Sequence, residues 1–564
     1  MRTFLLIIIC SLTVTAAPTI DIKVDQVGYL PHAPKLAFVV SNKDASEFLL
    51  RKADDSAIVF RGQLSTATDD QDSGDRVRVA DLSTFRAEGR FYIEVPGVGR
   101  SWSFAISPSV YRRAYYLTMR SFYRQRCGTA VDLGREFPNY KHAACHSSGA
   151  FHSTSGKTGP YVSVKGWHDA GDYGRYVVNS GISTGELLWT WEMFSSRIKT
   201  VSLEIPESKN SIPDILDEIR WNLDWMLTMQ DDDGGVWHKQ TSEDFAAFVK
   251  PEDDKLMSYV VGTGKEPFKN STATADFAAV MAIAARVYKP FDAAYAQRCL
   301  TAAEKAWAWL QKNPNVVFRN SGNVVTGGYG DNNASDEILW AAAELWRTSK
   351  HEHYHRYFLD QYQKHVAALS AGPPGWPHVA SLALWTYMLD QTANKDVAAA
   401  IRQASLAAAD EIVTRTARNG YRVSLRTRDY VWGSNGVVAN YGVQLLIANA
   451  IKPDARYVET ALENLHYILG RNAFSLSYVT QLGEHPFRHP HHRPSASDSN
   501  SEPWPGLLSG GPNRSRQDTA MKKLADLPPA KMYLDEVESY ATNENAINWN
   551  APLVFLLAGL LPEH

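Results

Sequence analysis

The sequence predicts an N-terminal all-β immunoglobulin-like sandwich followed by an all-α domain of (α/α)6-barrel type. Three observations carry this reading. Short Val-, Ile- and Phe-rich runs broken by Gly, Pro, Asp and Asn fill the first hundred or so residues. At Pro108 the apolar period changes from two to three and four. About twelve helical stretches then follow, and an even number joined pairwise fits an inner and an outer ring.

Taken in order, residues 1–17 read as a secretory signal peptide: one Arg, a short apolar run, and small residues at Ala16 and Ala17. The run is too short to span a bilayer comfortably, and no later stretch does better. Export to the periplasm or beyond is therefore expected. Cys10, preceded by Ile, makes a poor lipoprotein site. Residues 18–107 carry seven strand candidates: 20–27, 35–41, 47–53, 57–65, 76–83, 89–96 and 102–107. Residues 108–564 carry helical periodicity at 111–126, 178–194, 212–230, 273–288, 293–311 and 335–347. It continues at 354–368, 379–389, 397–414, 437–450, 457–469 and 545–561. An open solenoid is the competing layout, but no short repeat is visible. Long stretches at 127–172, 231–271, 314–334 and 471–535 are rich in Gly, Pro, His, Asp and aromatics. Loops of that length on a compact scaffold carry function or are disordered, and these hold too many aromatics for disordered linkers.

The chain has 564 residues, too many for one small core. A net charge of -3 exerts no general pull on nucleic acid or anionic membrane. The excess lies in 16 Trp, 26 Tyr and 21 Phe, which fill cores but also stack on flat neutral ligands such as sugar rings. Cys127, Cys145 and Cys299 remain after the leader, an odd and sparse set that is no disulfide framework.

Two segments place carboxylates in unusual settings. In Gly166-Trp-His-Asp-Ala-Gly-Asp-Tyr-Gly-Arg175, Asp169 and Asp172 stand three apart beside small residues that admit a close approach to the backbone. Glu544 lies at the start of the last helix. Either segment equally serves as a helix cap or first-turn acid. Glycosidic cleavage needs such a pair, one group to protonate the leaving oxygen and one to activate water or attack.

Both segments resemble glycoside hydrolase family 9. Tyr533, Asp535, Tyr540, Glu544, Ala546, Asn550 and Ala551 match the family's C-terminal signature. The resemblance implies Glu544 as general acid and Asp172 as base, Asp169 helping to hold the water and Asp535 in support. A second signature ends at His491 and Arg493, implied substrate contacts; His485 departs from the Asn, Lys or Arg usual there. Read from the residues alone, His489, His491 and His492 also suit a metal cluster. Asp25-Gln-Val-Gly-Tyr29 resembles the immunoglobulin-like module that precedes many such domains. Ile212-Pro-Asp-Ile-Leu-Asp-Glu218, Gly234-Gly-Val-Trp-His-Lys239 and Val431-Trp-Gly-Ser-Asn435 are further landmarks. Trp432, Trp237, Tyr329, Trp376 and Tyr540 are candidate sugar platforms, though each also suits a core.

Cys127, Cys145, His146 and His168 offer soft ligands suited to tetrahedral zinc, or are a buried Cys pair beside surface His. The resemblance implies structural zinc with this ligand order. Asp336 and Glu337 match a family calcium position, with Asn332 and Asn333 as further oxygens; a plain helix cap by Ser335 or Asp336 is the alternative. No organic cofactor is implied. The expectation is thus an inverting endo-β-1,4-glucanase acting on cellulose or related β-glucans, a monomer without nucleic-acid partner. An exo-acting cellobiase or exo-β-glucosaminidase, a non-catalytic carbohydrate-binding protein and a helical scaffold are the rivals.

Overall fold

The computed structural model describes residues 17–563. The expected leader lies outside them but for Ala17.

The N-terminal region is a sandwich of two sheets. One runs Ile22–Lys23, Leu36–Val39, Asp75–Asp81, Thr68–Asp70. The other runs Gly28–Tyr29, Phe104–Ile106, Gly89–Val95, Glu47–Lys52, Ile58–Gln63, with Gly99–Arg100 paired on Gly89–Val95. Alternating residues point inward, and Ile22, Val39, Phe48, Leu50, Ile93 and Phe104 close a core with no exposed surface. The expected strand at 20–27 is shorter because Asp25 intervenes. Its Oδ1 accepts the amides of Val27 and Gly28 at 2.8 and 2.9 Å, an Asx turn that replaces ladder bonds and passes the chain to the other sheet. Thr68–Asp70 and Gly99–Arg100 are too short to show a period and were not expected.

Each of the twelve expected helical regions contains a helix, and these sort into two rings. Val177–Ile198, Ser271–Tyr288, Ser335–Ser349, Ala380–Leu389, Ser434–Ile451 and Ile547–Leu560 are buried nearly all round, and the last packs back on the first. Arg112–Arg124, Asp214–Thr228, Ala293–Leu310, Glu352–Gln361, Lys395–Arg418 and Ala455–Ile468 each pack outside one of these. This is the (α/α)6 arrangement. The helix expected over 354–368 is instead Glu352–Gln361 and a short turn, with Ala368–Ala371 separate. Among the described residues no helix is long and apolar enough to cross a membrane.

The sandwich is fastened to the barrel by buried polar contacts. Asp25 Oδ2 lies 2.8 Å from Nδ1 of His466, both buried, and burial favours the uncharged form of each. Gln26 donates to the Ser475 carbonyl and accepts the amides of Glu484 and His485. The His485 ring stacks on Trp102 at 5.0 Å. The residue that departs from the family signature is therefore committed to the interface between domains. Asp75 accepts from Lys531 Nζ and the Tyr421 hydroxyl, both at 2.6 Å.

Replacing Asp25 by Ala leaves two buried amides and an imidazole without their partner. The expected cost is about 2–3 kcal/mol, read as a lowered Tm, and Asp25→Asn, which keeps an acceptor, loses less.

Candidate active site

The chemistry-bearing side chains sit on segments that lead into inner helices. Asp169 and Asp172 precede Val177–Ile198, Tyr329 precedes Ser335–Ser349, and Trp376 precedes Ala380–Leu389. Trp432 precedes Ser434–Ile451, and Glu544 precedes Ile547–Leu560. One end of the barrel thus gathers helix N-termini, whose amide dipoles favour nearby anions. A small sheet that the sequence did not announce lines this end, in the order Gly149–Phe151, Ser258–Val261, Lys239–Thr241, Arg175–Tyr176.

The two carboxylate segments meet through the backbone. Ile547 N donates to the Asp169 carbonyl at 2.8 Å. Gly171 N donates to Glu544 Oε1 at 3.4 Å, so the acid lies against the turn that links the two aspartates. A Cβ at Gly171 would fall 1.8 Å from the His491 carbonyl oxygen; only glycine permits this approach. Burial pushes the Glu544 carboxyl well above the usual range, and the nearby charges of Asp172 and Asp169 push it further.

The aspartates differ in their surroundings. Asp169 has both oxygens taken, Oδ1 by Asn179 Nδ2 at 2.5 Å and Oδ2 by the Tyr329 hydroxyl at 2.6 Å. Burial and then the charge of Asp172 lift it to about 8. Asp172 accepts at Oδ2 alone, from the Tyr176 hydroxyl at 2.8 Å and Gly174 N at 3.2 Å. Among the described residues no hydrogen bond reaches its Oδ1.

The remaining expected residues divide. His491 Nδ1 lies 2.6 Å from the Val537 carbonyl, which can only accept, so the proton sits on Nδ1 and Nε2 is left for a ligand. Arg493 spends Nη1 on the Gly171 carbonyl at 2.7 Å and Nε on the Ala246 carbonyl at 2.8 Å. It clamps the aspartate turn. Asp535 accepts the amides of Arg488 and His489 and the side-chain amide of Asn543, shaping the loop that carries His491. Trp432, 39% exposed, leans on Tyr540 at 5.3 Å, and Tyr540 meets His491 edge-on at 5.8 Å. Trp376 meets Tyr329 at 5.3 Å, and Tyr329 in turn packs on buried Tyr176 at 5.0 Å. Tyr329 has φ +42°, a strained backbone that brings its hydroxyl to Asp169.

Trp237 is a correction. Its ring is buried, packs on Phe151 and Tyr161, and donates to the Ser155 carbonyl, so it is core rather than a sugar platform. Nor do the three histidines gather: His489 is exposed, and His492 is spent on Ser495 and Gln125. Sequence reasoning missed Tyr176, Asn179, Lys239 and Asn543. Lys239, buried and lowered to about 7 by burial, holds the carbonyls of Thr326 and Gly327. The spacing of Tyr176, four residues after Asp172 and just before a helix, was the one available signal.

Cys127, Cys145, His146 and His168 bring their ligand atoms within 4.8 Å of one another. This is the one such His, Cys, Asp or Glu group found among the described residues. His146 Nδ1 is buried without a partner, while its Nε2 lies 3.1 Å from Asp254 Oδ2, as in a metal-bound imidazole oriented by a carboxylate. The residues fit a metal. Of the oxygen donors expected for calcium, exposed Asn332 accepts from Arg319, Asn333 from Ser335 N, and Asp336 from Val379 N. Glu337 is buried without a partner, pushed up by burial and by Asp336 and Asp276.

Metal analysis of the purified protein should find about one ion per chain, and Cys145→Ala should lose it. Retention of the ion by Cys145→Ala would contradict the ligand set.

The profile of glycosyl hydrolase family 9 matches residues 111–557, and that of the cellulase N-terminal ig-like domain matches 17–100. Endoglucanase D of Acetivibrio thermocellus is 39% identical over 96% of this chain and 83% of its own. A xyloglucan-specific endo-beta-1,4-glucanase of Bacteroides ovatus is 36% identical over 98% of this chain and 96% of its own. The crystal structure of a Zn-binding triple mutant of the family 9 endoglucanase J30 superposes with a TM-score of 0.88. It is 35% identical, covering 95% of this chain and 100% of that one. The chain is an enzyme of glycoside hydrolase family 9, built as an immunoglobulin-like domain followed by the family's catalytic barrel.

Proposed function

We propose that the enzyme cleaves internal β-1,4-glucosidic bonds of a glucan by single displacement, with Glu544 as acid and Asp172 as base. The observation that supports this most directly is the placement of Glu544 against the Asp169–Asp172 turn. Burial and two neighbouring carboxylates keep its proton on, as a general acid needs.

In this reading Glu544 gives its proton to the glycosidic oxygen, which leaves as a hydroxyl. Water attacks the anomeric carbon from the opposite face and loses a proton to Asp172 Oδ1. Asp169, held at both oxygens, orients that water. Trp432 and Tyr540 offer ring faces to sugars, and His491 Nε2 and the remaining guanidinium nitrogen of Arg493 offer polar contacts. These suit a neutral polysaccharide. We assign the Cys2His2 group to zinc. Four protein ligands leave no open position, so the ion supplies rigidity to the loop carrying His168 and, beside it, Asp169. Export follows from the reading of residues 1–17.

Activity requires Glu544 protonated and Asp172 ionised. The rate should therefore fall at high pH as Glu544, held protonated well above the usual carboxylate range, loses its proton. Glu544→Gln should lower kcat on an unactivated β-glucan on the order of 10³-fold while leaving metal content and Tm intact. Normal turnover in that variant means the acid lies elsewhere. An exo-acting cellobiase is the second reading. Endo action should drop the viscosity of a soluble cellulose well before reducing ends accumulate, and proportional change would favour exo action.

A further inference from the structure

One buried hydroxyl at the site has no part in the reaction just described. Tyr176 is 1% exposed and cannot touch a sugar chain. Its oxygen lies 2.8 Å from Asp172 Oδ2 and 3.1 Å from Gly327 N. A backbone amide can only donate, so it occupies a lone pair of the phenol oxygen and directs the phenol's one proton to the carboxylate. Gly174 N adds a second donor to the same oxygen at 3.2 Å. Oδ2 is thus loaded by two donors while Oδ1 has none from the described residues.

The surroundings are shaped for this contact. A Cβ at Gly174 would lie 2.6 Å from the Tyr176 hydroxyl and 2.8 Å from Asp172 Oδ2. A Cβ at Gly327 would press on the Tyr176 ring at 3.1 Å. Lys239, the strand partner of Tyr176, holds the Thr326 carbonyl at 3.2 Å and so fixes the peptide whose amide orients the phenol.

We propose that Tyr176 is the positioning residue of the base: it pins Oδ2 of Asp172 and leaves Oδ1 to take the proton from water. This rests on the assignment of Asp172 as base. A buried tyrosine needs a hydrogen-bond partner for stability alone. A purely structural tyrosine, however, would not set the pH at which the base titrates. Asp172 is also faced by Asp169 on its own turn, Glu544, Lys239 and His491, with the Tyr329 hydroxyl on Asp169 and Arg493 reaching Gly171. Removing the phenol hydroxyl leaves all of these in place.

The test is Tyr176→Phe in the full chain, with Asp172→Asn in parallel. The expected result is a fall in kcat of about tenfold, KM within about twofold, and an acidic limb of kcat/KM moved up by about one pH unit. Metal content should be unchanged. If Tyr176→Phe does not fold, 3-fluorotyrosine at this position keeps the packing, donates more strongly, and should move the limb to lower pH. An unshifted limb in either folded variant overturns the proposal, even where Tm falls. Normal turnover in Asp172→Asn would instead overturn the base assignment beneath it.

Discussion

The site depends on one close passage of backbone past backbone. The Asp169–Asp172 turn and the His491–Arg493 segment are more than three hundred residues apart in sequence, yet at Gly171 there is no room between them for a methyl group. Arg493 seals the passage by holding the Gly171 carbonyl twice, through its own amide at 3.2 Å and Nη1 at 2.7 Å. The other face of the same turn meets Glu544. The relation between the carboxylates is therefore set by peptide groups rather than by flexible side chains, which is how a separation can be kept to a fraction of an ångström.

Other parts of the molecule support that passage. The Cys2His2 loop enters it through His168, whose amide donates to the Gln125 carbonyl and whose neighbour is Asp169. The sandwich reaches it from behind. Gln26 holds Glu484 and His485, six residues before His491, and Asp75 holds Lys531 near the loop that carries Asp535. In this arrangement the N-terminal domain is a buttress for the loops of the C-terminal signature.

Much of this was legible in the sequence, for identifiable reasons. Outer helices bury one face and show the helical period, while inner helices bury both and read as long apolar runs, so the barrel helices were legible apart from the break inside 354–368. The base segment stood out because Asp169 and Asp172 sit beside glycines, and the Glu544 segment because it matches the family's C-terminal signature. The structure added what spacing cannot express. His485 looked like a defect in a binding signature and is an interface residue. Trp237 looked like a platform, but burial is decided by the sheet behind it, which has strands too short to read. Tyr176 and Asn179 match an ordinary helix start, and only the folded turn brings their polar atoms to the aspartates. Asn332 and Asn333 read as oxygen donors, yet one accepts from Arg319 and the other from the Ser335 amide of its own turn.

In the proposed mechanism the passage at Gly171 places Glu544 and Asp172 on opposite faces of the scissile bond with space for one water. Proton NMR of a soluble β-1,4-gluco-oligosaccharide during the first moments of hydrolysis tests this directly. The new reducing end should appear first as the α-anomer, relaxing to the equilibrium mixture afterwards. Initial release of the β-anomer would show that a carboxylate attacks the sugar itself, and would contradict the account.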